Sequence, residues 1–124
     1  MTYLTIKTLK PEWKKFSLES APELNEYASF HRFKSAQVIF YEGHLPYGLF
    51  ILISGEVEFK YRDNKTERIS EPSFFGISAF NCKKPFSGTL ITISECEFYF
   101  LGFSAYQDLK GSLNPIQTWI KKYI

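Results

Sequence analysis

The sequence predicts a mainly β fold, a double-stranded β-helix (jelly roll) flanked by helices toward its N- and C-termini. Three observations lead there. Aromatic residues make up 19% of the 124-residue chain, well above ordinary usage, and Phe and Tyr favour packed sheets. About eight short apolar–polar segments recur at a spacing of roughly ten residues between turn signals, a pattern of sandwiches and barrels that a double-sheet jelly roll fits. Helix-start signals lie outside that region, near both ends.

The elements follow in order. Residues 1–10 alternate weakly, Leu4 and Ile6 against Thr5 and Lys7, and read as an edge strand or an ordered arm. A helix starting at Pro11 would carry Trp13 and Phe16 on one side. Ser20-Ala-Pro-Glu23 is a capping box with proline near the first turn, which predicts a short helix over Ala21–Tyr27. Strands are then expected over Phe30–Lys34, Gln37–Tyr41, Leu49–Ser54 and Glu56–Arg62. The last is the clearest: Val57, Phe59 and Tyr61 face one way, and Glu56, Glu58, Lys60 and Arg62 the other. Ser54-Gly55 separates two strands, and Asp63-Asn64 marks a hairpin before a return strand over Thr66–Ser70. Further strands are expected over Thr89–Ile93 and Cys96–Leu101. Ser104-Ala-Tyr-Gln107 is a second capping box, opening a helix to about Lys110. Gly111-Ser112 breaks it, and Asn114-Pro115 gives an N-cap followed by proline at the first helical position. Ile116, Trp119, Ile120, Tyr123 and Ile124 then form an apolar stripe at helical spacing.

Composition bounds the chemistry. The length predicts one domain over residues 1–124, large enough to bury a core without disulfides or metal. A net charge of +2 demands neither nucleic acid nor an anionic membrane. No apolar run is long enough to span a bilayer, and the N-terminus lacks a signal-peptide core, so the expected location is the cytoplasm. Cys82 and Cys96 read as two reduced thiols, one in a loop and one packed in a strand.

The stretch Phe74-Phe-Gly-Ile-Ser-Ala-Phe-Asn-Cys-Lys-Lys-Pro-Phe-Ser-Gly-Thr89 resembles the phosphate-binding cassette of the cyclic-nucleotide-binding domain family. The family pattern runs Phe-Gly-Glu, a short helical turn, then Pro-Arg-small-small-Thr. Phe75, Gly76, Ala79, Phe80, Pro85, Ser87, Gly88 and Thr89 fall on it without a gap. Ile77 stands where the family has its Glu, and Phe86 where it has its Arg. Two further blocks are similar to the family in the same order: Phe33 to Gly43, an opening hairpin with Ala36 where the turn usually has glycine, and Tyr47 to Val57, a strand, Ser-Gly turn and strand.

The resemblance implies an eight-stranded jelly roll flanked by helices. It also implies a site in which the Arg forks onto a cyclic phosphate, the Glu accepts from the ribose hydroxyl, and the N–H groups after Phe-Gly face the anion. Phe86 donates nothing and Ile77 accepts nothing. Hydrogen bonds to charged partners are worth about 1.5–3 kcal/mol each, so their loss predicts on the order of 10³-fold weaker binding or worse. The residues of the altered cassette are Phe75, Gly76, Ile77, Ser78, Lys83, Lys84, Pro85, Phe86, Ser87, Gly88 and Thr89. Ile77 and Phe86 either plug the pocket or line a site for an apolar molecule. Lys83 or Lys84 offers a point charge that could take a phosphate, against the reading of both as solvated loop lysines.

No other constellation argues for catalysis. Metal-holding jelly rolls use two or three histidines and a carboxylate, whereas His31 and His44 lie on different predicted segments; no metal and no cofactor are expected. No P-loop, nucleophile elbow, CxxC or HExxH motif occurs. Family transcription factors carry a helix-turn-helix after the terminal helix, and no residues follow Ile124, so direct DNA binding by that route is not expected. The stripe of Ile116, Trp119, Ile120 and Tyr123 either packs on the roll or contributes to a homodimer interface. The leading expectation is a non-catalytic regulatory or interaction module with a protein partner or a second copy of itself. The alternative is a small-molecule sensor, for a cyclic nucleotide in a non-standard mode or for an apolar ligand.

Overall fold

A computed structural model describes residues 12–77, 80, 83–109 and 114–123. Among the described residues, nine strands are β1 (Trp13–Lys15), β2 (Ser29–Phe33), β3 (Val38–Phe40), β4 (Gly48–Ser54), β5 (Val57–Tyr61), β6 (Thr66–Ile69), β7 (Ser73–Phe75), β8 (Gly88–Thr92) and β9 (Cys96–Gly102). Helices α1 (Phe103–Asp108) and α2 (Pro115–Tyr123) follow. All strand pairings are antiparallel, in one sheet of order β1-β7-β4-β9-β2 and a second of order β3-β8-β5-β6. The jelly roll expected from the sequence is therefore present.

Side-chain parity explains the two sheets. On β5, Val57 and Phe59 are fully buried, while Lys60 on the other face is exposed, so the four-stranded sheet has one wet face. β4 is apolar from Leu49 to Ile53 because this central strand of the five-stranded sheet is covered on both faces. Its Leu52 joins Phe40, Val57, Phe59, Phe75, Phe86, Leu90 and Phe98 between the sheets. Its Leu49 and Ile51 join Phe16, Phe74, Ile77, Leu101, Ile116, Trp119 and Ile120 beneath the helices.

Three local expectations are corrected. The segment from Trp13 is a strand, not a helix, because it completes the edge of β7 in the register Trp13↔Phe75, Lys14↔Phe74 and Lys15↔Ser73. Trp13 and Phe16 consequently serve different cores, Trp13 against the inter-sheet cluster and Phe16 beneath the helices. The helix expected over Ala21–Tyr27 shrinks to a 3₁₀ turn at Leu18–Ser20 and a single turn in which Ala28 N–H reaches Leu24 O at 2.9 Å. The Ser20 hydroxyl donates to Ser17 O at 2.6 Å and meets Trp119 Nε1 at 3.1 Å, so it caps nothing downstream. The helix expected to start after Ser104 begins at Phe103 with Gly102 as its cap. By contrast, Asn114 caps α2 as its sequence suggests, its Oδ1 accepting from Ile116 N–H at 2.9 Å. The stretch 1–10, together with Ser78 and Cys82, lies outside the described residues.

Ala36 occupies the left-handed region with φ +61°, which accounts for glycine being the family's usual choice in that turn. Alanine pays a Cβ penalty there. Ala36→Gly is expected to stabilise the fold by roughly 0.5–1 kcal/mol after the added freedom of the unfolded chain is discounted. A urea midpoint at or below that of the parent would contradict this.

Candidate functional site

The cassette is the connection between β7 and β8, the two strands that carry it from one sheet to the other. Gly76 makes the turn at φ +87°, and a Cβ there would sit 3.1 Å from the Phe86 ring. Phe80 N–H donates back to Gly76 O at 2.7 Å. The chain returns through exposed Lys83, Lys84 and Pro85. Phe86 is then buried, and its backbone is fixed by Phe86 N–H to His44 O at 3.0 Å and Gly43 N–H to Phe86 O at 2.8 Å. Gly88 pairs with Tyr61, and a Cβ on it would meet the Phe59 ring at 2.4 Å and Lys60 O at 2.7 Å, so no side chain fits. Thr89 Oγ1 accepts from Glu42 N–H at 3.0 Å.

Ile77 and Phe86, which the sequence places in one pocket, are not brought together. Ile77 points beneath the helices and is 1% exposed. Phe86 enters the inter-sheet core and lies flat on Phe40, with ring centroids 4.0 Å apart and planes 14° apart. Phe50 lies beside the pair, its centroid 5.5 Å from Phe40 and 6.4 Å from Phe86. Lys83, with φ +56°, lines a cleft of about 270 Å³ with Phe80, Phe103, Tyr106, Gln107, Gln117 and Lys121, on the helical side. A separate open cleft of about 490 Å³ lies between Ser87 and the β5–β6 hairpin, lined by Tyr61, Arg62, Asp63 and Lys65. Arg62 Nε is paired with Glu42 Oε2 at 2.8 Å. The stripe on α2 packs on the roll, the first of the two uses the sequence leaves open. Ile116, Trp119 and Ile120 are buried against Phe16 and Phe74, and Tyr123 meets Ser20 at 3.1 Å.

One residue of the site has no sequence signal, Glu12. It is 8% exposed. Its backbone carbonyl accepts from the N–H groups of Gly76 at 3.0 Å and Ile77 at 3.1 Å. Its Oε1 accepts from Ser87 N–H at 3.0 Å and Ser87 Oγ at 2.5 Å. The neighbouring Trp13 donates through Nε1 to Tyr61 Oη at 3.2 Å, and Tyr61 donates in turn to Glu67 at 2.6 Å. Burial pushes the Tyr61 phenol above its usual value, reinforced by the bond to Glu67. Only strand β1 makes these contacts intelligible, and a helix over the same residues would not reach the cassette.

Other chemistry-bearing residues stay apart. His31 meets Ser29 Oγ at 3.0 Å, and His44 lies 5.2 Å from the Tyr41 ring. The Cys96 thiol is buried, donates to Glu56 O and Ser94 O at 3.3 Å, and is pushed up by burial. Among the described residues, no three His, Cys, Asp or Glu side chains cluster as metal ligands, and no helix is long and apolar enough to cross a membrane.

Residues 30–110 match the family model described as "Cyclic nucleotide-binding domain". No curated protein sequence matches the chain. Among solved structures, the catabolite activator protein of Thermus thermophilus is similar with a TM-score of 0.68 at 18% identity, over 86% of this chain and 52% of that one. The present chain thus spans about half of that protein. A structure titled for a cyclic-GMP-dependent signalling pathway regulating bacterial phytopathogenesis is similar at TM-score 0.72 and 14% identity, over 87% of this chain and 90% of that one. The regulatory domain of Toxoplasma gondii PKA, solved with cAMP, gives 0.62 and 18%, over 80% of this chain and 39% of that one. At these identities the structures share a fold with this chain.

Proposed function

The chain belongs to the cyclic nucleotide-binding domain family, and from that premise we propose that it is a non-catalytic regulatory or interaction module that no longer takes a cyclic nucleotide in the family's usual way. The observation that carries the proposal is the position of Phe86. Where the family places a guanidinium on the phosphate, this chain places a phenyl ring stacked on Phe40 inside the inter-sheet core. A phosphate approaching it would be desolvated with no donor from that residue. Ile77 adds no acceptor, since its side chain is committed to the other core. Catalysis by a metal-holding jelly roll draws no support from the separate positions of His31 and His44.

Recognition by surface is supported by Tyr41, Leu45 and Tyr47, three large side chains between 52% and 78% exposed in the connection from β3 to β4. A protein partner or a second copy of the chain would dock there in preference to the buried stripe on α2. The second reading, a small-molecule sensor, is favoured by the 490 Å³ cleft beside Ser87 with Arg62 and Lys65 on its wall. Lys83 lines a different cleft and is not available to that space.

A thermal-shift series separates the readings. A ligand at 100 times its dissociation constant adds about 2.7 kcal/mol to stability. With cAMP or cGMP in millimolar excess, the expected result is an unchanged melting temperature. A rise of several degrees with either would overturn the proposal in favour of the sensor.

A further inference from the structure

We infer that Glu12 is a built-in anion for the cassette, holding from within the chain the hydrogen-bond donors that a small oxyanion would otherwise take. The inference deepens the proposal above and rests on its claim that residue 86 supplies no cation. Both ends of the cassette converge on this one residue. The first end gives the N–H groups of Gly76 and Ile77 to the Glu12 carbonyl, and the second gives the N–H and hydroxyl of Ser87 to the Glu12 carboxylate. A carboxylate that is nine-tenths buried is stable only when it is hydrogen-bonded, and bonds to a charged acceptor are the stronger kind. Ser87 also lines the open cleft that carries Arg62 and Lys65. Without the Glu12 side chain, two donors of Ser87 would be left unpaired beside that cleft, whose cations Arg62 and Lys65 are already matched by Glu42 and Asp63, so the Ser87 donors themselves would make the site for a carboxylate or phosphate oxygen. The adjoining bond from Trp13 to Tyr61 reaches the hairpin, so Glu12 and Trp13 together fasten cassette and hairpin.

The test is chemical rescue of the full chain. Glu12→Ala is expected to lower the melting temperature by about 5 °C or more, the effect of stranding two donors in a domain of this size. Acetate or inorganic phosphate at about 100 mM, compared with chloride at equal ionic strength, is expected to restore part of that loss in Glu12→Ala while leaving the parent unchanged. The acetate arm reports a site for carboxylates and the phosphate arm a site for phosphates, and rescue by either supports the inference. An unchanged melting temperature in the variant, or equal shifts in variant and parent, would overturn it. Should Glu12→Ala fail to fold, Glu12→Gln keeps the shape and one acceptor oxygen. Its loss should then shrink in a Ser87→Ala background, and strictly additive losses would count against the pairing. Binding of cAMP by the parent would sink the proposed function and leave this cycle untouched, so the two failures are distinguishable.

Discussion

Replacing Phe86 by alanine is expected to destabilise the fold by about 3–5 kcal/mol. The ring is 4% exposed and stacked on Phe40, with Phe50 at its side. Its backbone is pinned to Gly43 and His44, so the walls cannot close over the gap without breaking those two bonds. Phe86→Arg, which returns the family's cation, is expected to cost at least as much, because the guanidinium would enter a wholly apolar cluster. Denaturant unfolding monitored by fluorescence measures both. A loss under about 1 kcal/mol for Phe86→Ala would mean that the ring lies in a loose, ligand-accessible pocket and not in a packed core.

Trp119→Ala is expected to cost a similar amount, about 3–5 kcal/mol, for a different reason. Trp119 is the keystone of the second core. Its ring meets Phe16 edge-on at 5.0 Å and Phe74 at 4.9 Å, and Nε1 donates to Ser20 at 3.1 Å. The variant removes that bulk and the indole's bond to Ser20, so α2 should detach before the sheets melt. Were the indole instead an anchor between two copies, the substitution would lower the association constant seen by sedimentation and leave monomer stability nearly unchanged. Such a result would reassign α2 to an interface.

The sheets were legible because parity is written plainly in the chain. Val57, Phe59 and Tyr61 against Glu58 and Lys60 fix the inner face of β5, and Asp63-Asn64 sets the hairpin, with Asn64 at φ +70°. The cassette was legible as a pattern, since Phe75, Gly76 and Gly88 each have a backbone or packing reason to be what they are. The division of labour inside it was not. Ile77 and Phe86 look alike as apolar replacements, and only the turn at Gly76 decides that one faces the helices and the other the sheets. Ser20-Ala-Pro-Glu23 carries a genuine helix-start signal that tertiary contacts override, because Trp119 and Tyr123 take the Ser20 hydroxyl. Glu12 was invisible because nothing local marks it: its partners lie 64 to 75 positions along the chain, and a strand over Trp13–Lys15 is too short to show a period. Contacts of that range are decided by topology, and local pattern has no access to them.

The most direct measurement is isothermal titration of the whole chain with cAMP and with cGMP. The proposed loss of the phosphate and ribose contacts predicts no saturable binding below about 1 mM for either nucleotide. A dissociation constant in the micromolar range, about 8 kcal/mol of binding free energy, would contradict it and show that the cassette still grips a cyclic phosphate without an arginine.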